Sequence, residues 1–119
     1  MDRIELSGME FFGYHGCFDE ERRQGQNFVA DVVLHLSTQA AGRTDDLTKS
    51  VDYAAVFADV RAVVEGEPKN LIEAVAEKIA ANLLARYPIE RVEVAVHKPA
   101  APIAGAFRDV CVRIERSRA

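Results

Sequence analysis

The chain has 119 residues, 49% of them hydrophobic and 29% charged, with a formal net charge of −4. That length predicts one domain, residues 1–119, able to bury a core without disulfide or metal staples, and that balance predicts an ordinary soluble protein. The acidic charge excludes a general nucleic-acid binder, which needs clustered lysine and arginine to hold phosphates; the short run Arg113, Arg116, Arg118 reads as a solvated strand end.

From the N-terminus, Ile4 and Leu6 alternate with Arg3 and Glu5. After Gly8 the apolar phase changes to Met9 and Phe11, which predicts a β-bulge within one long strand. GYHG at 13–16 ends that strand, DEERRQGQ at 19–26 reads as a loop, and Phe28, Ala30, Val32, Leu34 and Leu36 give a second alternating strand. The two form a long antiparallel hairpin over roughly residues 2–38. The polar segment 38–50 reads as a loop with one helical turn. Asp52 then starts a helix with Tyr53, Val56, Phe57, Val60, Val63 and Val64 at helical spacing, stopped by Gly66 and Pro68. A second helix follows Asn70, with Ile72, Val75, Ile79 and Leu83 as its stripe and Pro88 as its end. Two strands close the chain, at 91–98 and at about 107–116. The order β-β-α-α-β-β predicts an α+β fold, with both helices on one face of a four-stranded antiparallel sheet. Its long open edges call for a cover or a partner subunit.

Cys17 and Cys111 have no metal-ligand spacing and read as small apolar residues in a reducing compartment. The N-terminus lacks an apolar signal-peptide core and no apolar run approaches a membrane span, so the expected location is the cytoplasm. His15, His35 and His97 lack ligand spacing, and no metal or cofactor is expected. His15 reads as a turn residue; His35 and His97 fall on the polar phase of their strands.

Lys98 is the residue that breaks pattern. It follows Val92, Val94 and Val96 in register, so it should point to their face, and Pro99 and Pro102 stiffen the chain behind it. Either it snorkels to water over its own aliphatic stem, or it is partly desolvated, with a lowered pKa suited to proton transfer. Glu73 stands three residues after Asn70, the spacing of a capping box. A carboxylate in a first helical turn can also accept two parallel N–H bonds from an amidine-like ligand edge, as guanine and pterin rings present. Tyr53 reads as a core aromatic with its hydroxyl at the rim; at the helix start it could instead stack on a flat ring. Nothing local distinguishes Glu21 from Glu20 in the charged run 19–23.

GYHGCFDEERRQGQ at 13–26, SVDYAAVF at 50–57, NLIEAVAEKIA at 70–80 and VAVHKPAAPIAGAF at 94–107, with AGRTDDL at 41–47, together resemble dihydroneopterin aldolase over essentially the whole chain. The resemblance implies the tunnelling fold. It also implies four subunits joined into a β-barrel ring, two rings stacked as an octamer, and active sites between subunits, which would settle the edge problem. It implies a metal-free, Schiff-base-free retro-aldol cleavage of dihydroneopterin to 6-hydroxymethyl-dihydropterin and glycolaldehyde, with epimerisation to dihydromonapterin beside it. Carried over by position, Lys98 relays protons and Tyr53, from a neighbouring subunit, stacks on the pterin and helps protonate the enol. Glu73 anchors the pterin amino group and ring N–H, Ile72 contributes its backbone there, and Glu21 lies near the substrate side chain. Cys17 stands where the family often has an apolar residue, a small departure with which a buried thiol is compatible. A dihydroneopterin-triphosphate epimerase or a non-catalytic pterin-binding barrel subunit are the alternatives.

Overall fold

The computed structural model describes residues 1–118. Strand β1 runs Asp2–Gly13, a short helix α1 Asp19–Gln24, and strand β2 Gln26–Leu36. A second short helix α2, Gln39–Thr44, and a 3-10 turn, Leu47–Lys49, lead to helix α3, Tyr53–Val64. Helix α4, Ile72–Arg86, and strands β3, Arg91–His97, and β4, Cys111–Ser117, complete the order. The sheet is antiparallel throughout, in spatial order β1-β2-β3-β4.

Alternation places Met9, Phe11, Phe28, Ala30, Val32, Leu34, Val92, Val94 and Val96 on one sheet face, all buried. Helix α4 packs over β3 and β4, and α3 lies beside it over β1. Their stripes, Val56, Val60 and Val64 on α3 and Val75, Ile79 and Leu83 on α4, are almost fully buried against that face. Each such side chain contributes about 1.5–3 kcal/mol of transfer free energy. The phase change at Gly8 is a bulge: Leu6 pairs with Val32 but Met9 with Ala30, and Gly8 takes a φ of 67°. The glycine has no Cβ to resist that left-handed backbone.

Four local expectations are corrected. Residues 19–24 are helical, because three acids open the turn and Arg22 and Arg23 close it, complementing the helix dipole. β4 starts at Cys111, not near 107, so residues 98–110 form an irregular excursion beside the helices. The Asn70–Glu73 capping box does not form: Leu71 is the N-cap of α4, without a side-chain cap bond. The Asn70 side-chain oxygen instead accepts from Arg22 Nη2 at 2.5 Å, a tertiary charge-assisted bond that outcompetes the local one. Tyr53 is not a core aromatic but 66% exposed.

The face away from the helices is polar. It carries Arg3, Glu5, Asp31, His35, Glu93, His97, Arg113 and Glu115 in register across the strands. His35 is buried there despite its polar phase, because Glu93 and Arg91 both reach its ring. Cys17 and Cys111 are both exposed free thiols, so neither serves as a small apolar residue of the core. Among the described residues, no helix is long and apolar enough to cross a membrane.

Candidate functional site

Lys98 follows the last residue of β3, and its N–H donates to the Val110 carbonyl at 2.7 Å. The strand phase turns its side chain to the helix-covered face, as expected. There Nζ lies 2.5 Å from Glu21 Oε2. The pair is largely enclosed, Lys98 being 13% and Glu21 8% exposed. A lysine in a core register is therefore neither stranded nor snorkelling; it is neutralised by a carboxylate from the opposite end of the chain.

Glu21 reaches it because α1 forms. As the third residue of α1 it turns back, and Oε1 accepts from the Phe18 N–H at 3.3 Å while Oε2 accepts from Gln26 Nε2 at 3.0 Å. Burial alone would push its carboxyl up, but these bonds and Lys98 hold it below the usual carboxylate range. Gly16 makes room for it: a Cβ there would fall 2.3 Å from Glu21 Oε1.

The pair opens onto a cavity of about 330 Å³. Ile72 and Glu73, in the first turn of α4, line the same cavity, with Phe18, Leu71, Pro102 and Ile103 as apolar walls. Ile72 is buried and Glu73 exposed. With no capping bond to hold it, Glu73 presents its carboxylate at the helix N-terminus, where the dipole favours negative charge. The first-turn N–H groups beside it have no intrahelical partner. Apolar walls, an ammonium–carboxylate pair and a second carboxylate suit a flat heterocycle bearing N–H donors on one edge.

Two walls of this cavity come from distant segments, residues 16–21 and 69–73, and His15 joins them. Its ring is fully buried against Phe28. Nδ1 accepts from the Lys69 N–H at 3.0 Å, so the ring proton sits on Nε2, which donates to the Val64 carbonyl at 2.7 Å. Gly16 N–H to Lys69 O at 2.9 Å and Arg22 to Asn70 extend the seam. Burial pushes the His15 pKa down, and the Lys69, Arg22 and Lys98 charges push the same way. The sequence suggested only a turn residue there; a lone histidine between glycines carries no signal for a contact fifty positions away.

Tyr53 stands apart. Asp52 caps α3 by accepting from the Ala54 and Ala55 N–H groups at 3.0 and 3.4 Å, which fixes Tyr53 in the first turn. Its side chain does not line the Lys98 cavity of its own chain. The structure thus brings Glu21, Ile72, Glu73 and Lys98 together and leaves Tyr53 outside.

Comparison with known proteins identifies the family and the fold. The sequence model of the dihydroneopterin aldolase (FolB) family matches residues 4–115. A dihydroneopterin aldolase of Streptomyces coelicolor is 52% identical over 118 residues, covering 99% of both chains. The crystal structure of E. coli dihydroneopterin aldolase in complex with neopterin superposes with a TM-score of 0.91 at 31% identity, covering 98% of this chain and 100% of that one. A Burkholderia dihydroneopterin aldolase bound to guanine gives a TM-score of 0.81 at 27% identity, covering 99% and 92%. The cavity thus belongs to a fold whose solved relatives hold a pterin and a purine, and the match spans nearly every residue: the chain belongs to the dihydroneopterin aldolase family.

Proposed function

We propose that the cavity cleaves the side chain of 7,8-dihydroneopterin, giving 6-hydroxymethyl-7,8-dihydropterin and glycolaldehyde. The observation that carries this reading is the Lys98–Glu21 pair sharing one cavity with the uncapped carboxylate of Glu73. Glu73 accepts the amino group and adjacent ring N–H of the pterin, with the Ile72 backbone beside it, in the bidentate geometry that favours such edges. This sets the ring against the apolar walls and directs its side chain toward Lys98 and Glu21.

The Lys98 ammonium, working through water, gives a proton to the ring nitrogen of the C=N beside the side chain and takes in its place the proton of the hydroxyl on the side-chain carbon to be released. The bond between the first and second side-chain carbons breaks, and two-carbon glycolaldehyde leaves as the hydroxyl on the second carbon becomes a carbonyl. The electron pair moves into the ring C=N, whose nitrogen holds the proton relayed from Lys98, leaving an enol. Protonation of the enol carbon, with return of the ring proton, yields the hydroxymethyl product. The ring is its own electron sink. Glu21 holds Lys98 in place beside the reacting side chain.

Tyr53 acts from a neighbouring copy, stacking on the pterin and helping to protonate the enol. Its exposure and its absence from its own chain's cavity support that assignment. The outer strands β1 and β4 support ring closure between copies, as tetramer rings stacked into an octamer. Epimerisation to dihydromonapterin follows if the released aldehyde recombines before it escapes. The unpaired exposed thiols fit a reducing compartment, the cytoplasm.

The test is incubation of the purified protein with dihydroneopterin and measurement of glycolaldehyde. Stoichiometric glycolaldehyde supports the reading. Its absence, with the triphosphate epimerised instead, refutes it.

A further inference from the structure

On the polar face of the sheet, directly behind Lys98, His97 sits between two carboxylates. Nε2 is 2.7 Å from Asp31 Oδ2 on β2, and Nδ1 is 2.6 Å from Asp109 Oδ2, two residues before β4. Asp31 uses its other oxygen, Oδ1, to accept the Gly8 N–H of the β1 bulge at 2.6 Å. One polar chain therefore crosses the sheet from β1 through β2 and β3 to the end of the 98–110 segment. That segment supplies Ala101, Pro102 and Ile103 to the cavity wall, and it is tied down at its far end by Asp109 and by the Lys98 N–H to Val110 bond.

We propose that His97 is a positioning residue: bridged between Asp31 and Asp109, it locks the return of the 98–110 segment onto the sheet and so fixes Lys98 and the cavity wall. The link to activity rests on the proton-relay role proposed for Lys98; the lock itself does not.

The chemistry of the bridge sets its charge. Both ring nitrogens face carboxylate oxygens, so both must carry hydrogen, and the ring is an imidazolium. Cys111 Sγ lies 3.9 Å from Nε2, Arg113 on β4 shares the row of Asp31 across Ala95, and Glu10 on β1 shares the His97 row beyond Val29. Burial alone would disfavour the charged ring, but the two carboxylates outweigh it and raise the His97 pKa above the ordinary histidine value. The sign follows. The lock is complete below the ordinary histidine range and is lost as pH rises through the raised pKa, when one nitrogen loses its proton and faces a carboxylate unbonded.

Asp109→Asn tests this directly. An amide at position 109 donates to Nδ1, so a neutral ring can keep both partners, and the lock no longer depends on charge. The measurements are amide hydrogen-exchange protection factors over residues 99–110, the NMR titration of the His97 ring, and the pH profile of kcat/KM. In the natural protein, protection and kcat/KM should fall together as His97 deprotonates. In Asp109→Asn the His97 titration should move down and that fall should disappear. His97→Phe should lose protection at every pH and lower kcat/KM by about 10-fold. Equal protection in all three proteins, or a His97 ring titrating at or below the ordinary value, would overturn the proposal. If the natural protein cleaves no dihydroneopterin, the exchange and titration arms still decide the lock, and only the functional reading fails.

Discussion

Lys98 and the N-terminus of α3 make a useful contrast. Lys98 is enclosed, paired with Glu21 and fixed at its backbone by Val110, all within one chain. Tyr53 is equally fixed at its backbone, by the Asp52 cap, yet it stands 66% exposed and outside the Lys98 cavity of its own chain. The half of the site proposed to do the acid–base and anchoring work is thus built by intramolecular packing. The proposed aromatic half is presented outward, where it could act only beside another molecule. An exposed aromatic on a rigid first turn costs little to order on docking, because its backbone is already set.

The largest expected effect separates the two halves. Lys98→Ala should lower glycolaldehyde formation by about 10²–10⁴-fold while equilibrium binding of neopterin stays measurable. Full activity in that variant would remove Lys98 from the chemistry. The next effect tests whether the halves meet between copies. Lys98→Ala and Tyr53→Ala, each impaired alone, should recover activity when co-refolded, because some sites then combine an intact lysine with an intact tyrosine. No recovery despite mixed oligomers would place Tyr53 in its own chain's reaction or outside the reaction altogether.

Glu73→Ala should act on binding. It leaves the ligand's paired N–H donors without an acceptor, a loss of about 1.5–3 kcal/mol for a charged partner, read as a raised Kd with a smaller change in kcat. Unchanged affinity would refute the anchor. The smallest effect concerns the seam beneath the cavity. His15 must be neutral, so its stabilisation is present above the ordinary histidine pKa and is lost as pH falls through its depressed folded value. Urea unfolding of the natural protein should therefore show a midpoint that drops on the acid side, with part of that drop missing in His15→Phe. The variant itself should lose about 1–3 kcal/mol at neutral pH from the unpaired Val64 carbonyl and Lys69 N–H. Identical acid limbs in the two proteins would remove His15 as the group responsible.

His15 and His97 sharpen the same contrast through pH. One is buried between a backbone donor and a backbone acceptor and weakens when it gains a proton. The other is held between two carboxylates and weakens when it loses one. The two seams therefore weaken on opposite sides of the ordinary histidine value.

Much of this architecture was legible in the residues. Period-two alternation gives the strands their faces, helical spacing gives α3 and α4 their stripes, and the phase change at Gly8 marks the bulge. The same alternation gave Lys98 its direction, because side-chain direction in a strand is a local property of the backbone. Sequence resemblance named Glu21, but nothing in DEERR distinguishes it from Glu20 until α1 turns one carboxylate inward past Gly16.

Partners were another matter. Asn70 and Glu73 have the spacing of a capping box, and the box fails because Arg22, remote in sequence, offers Asn70 a stronger bond. Local pattern determines which way a side chain points; it carries no record of which distant group arrives there. That Lys98 meets Glu21, that His15 joins Lys69 to Val64, and that Tyr53 meets nothing in its own cavity were decided only when the chain closed on itself.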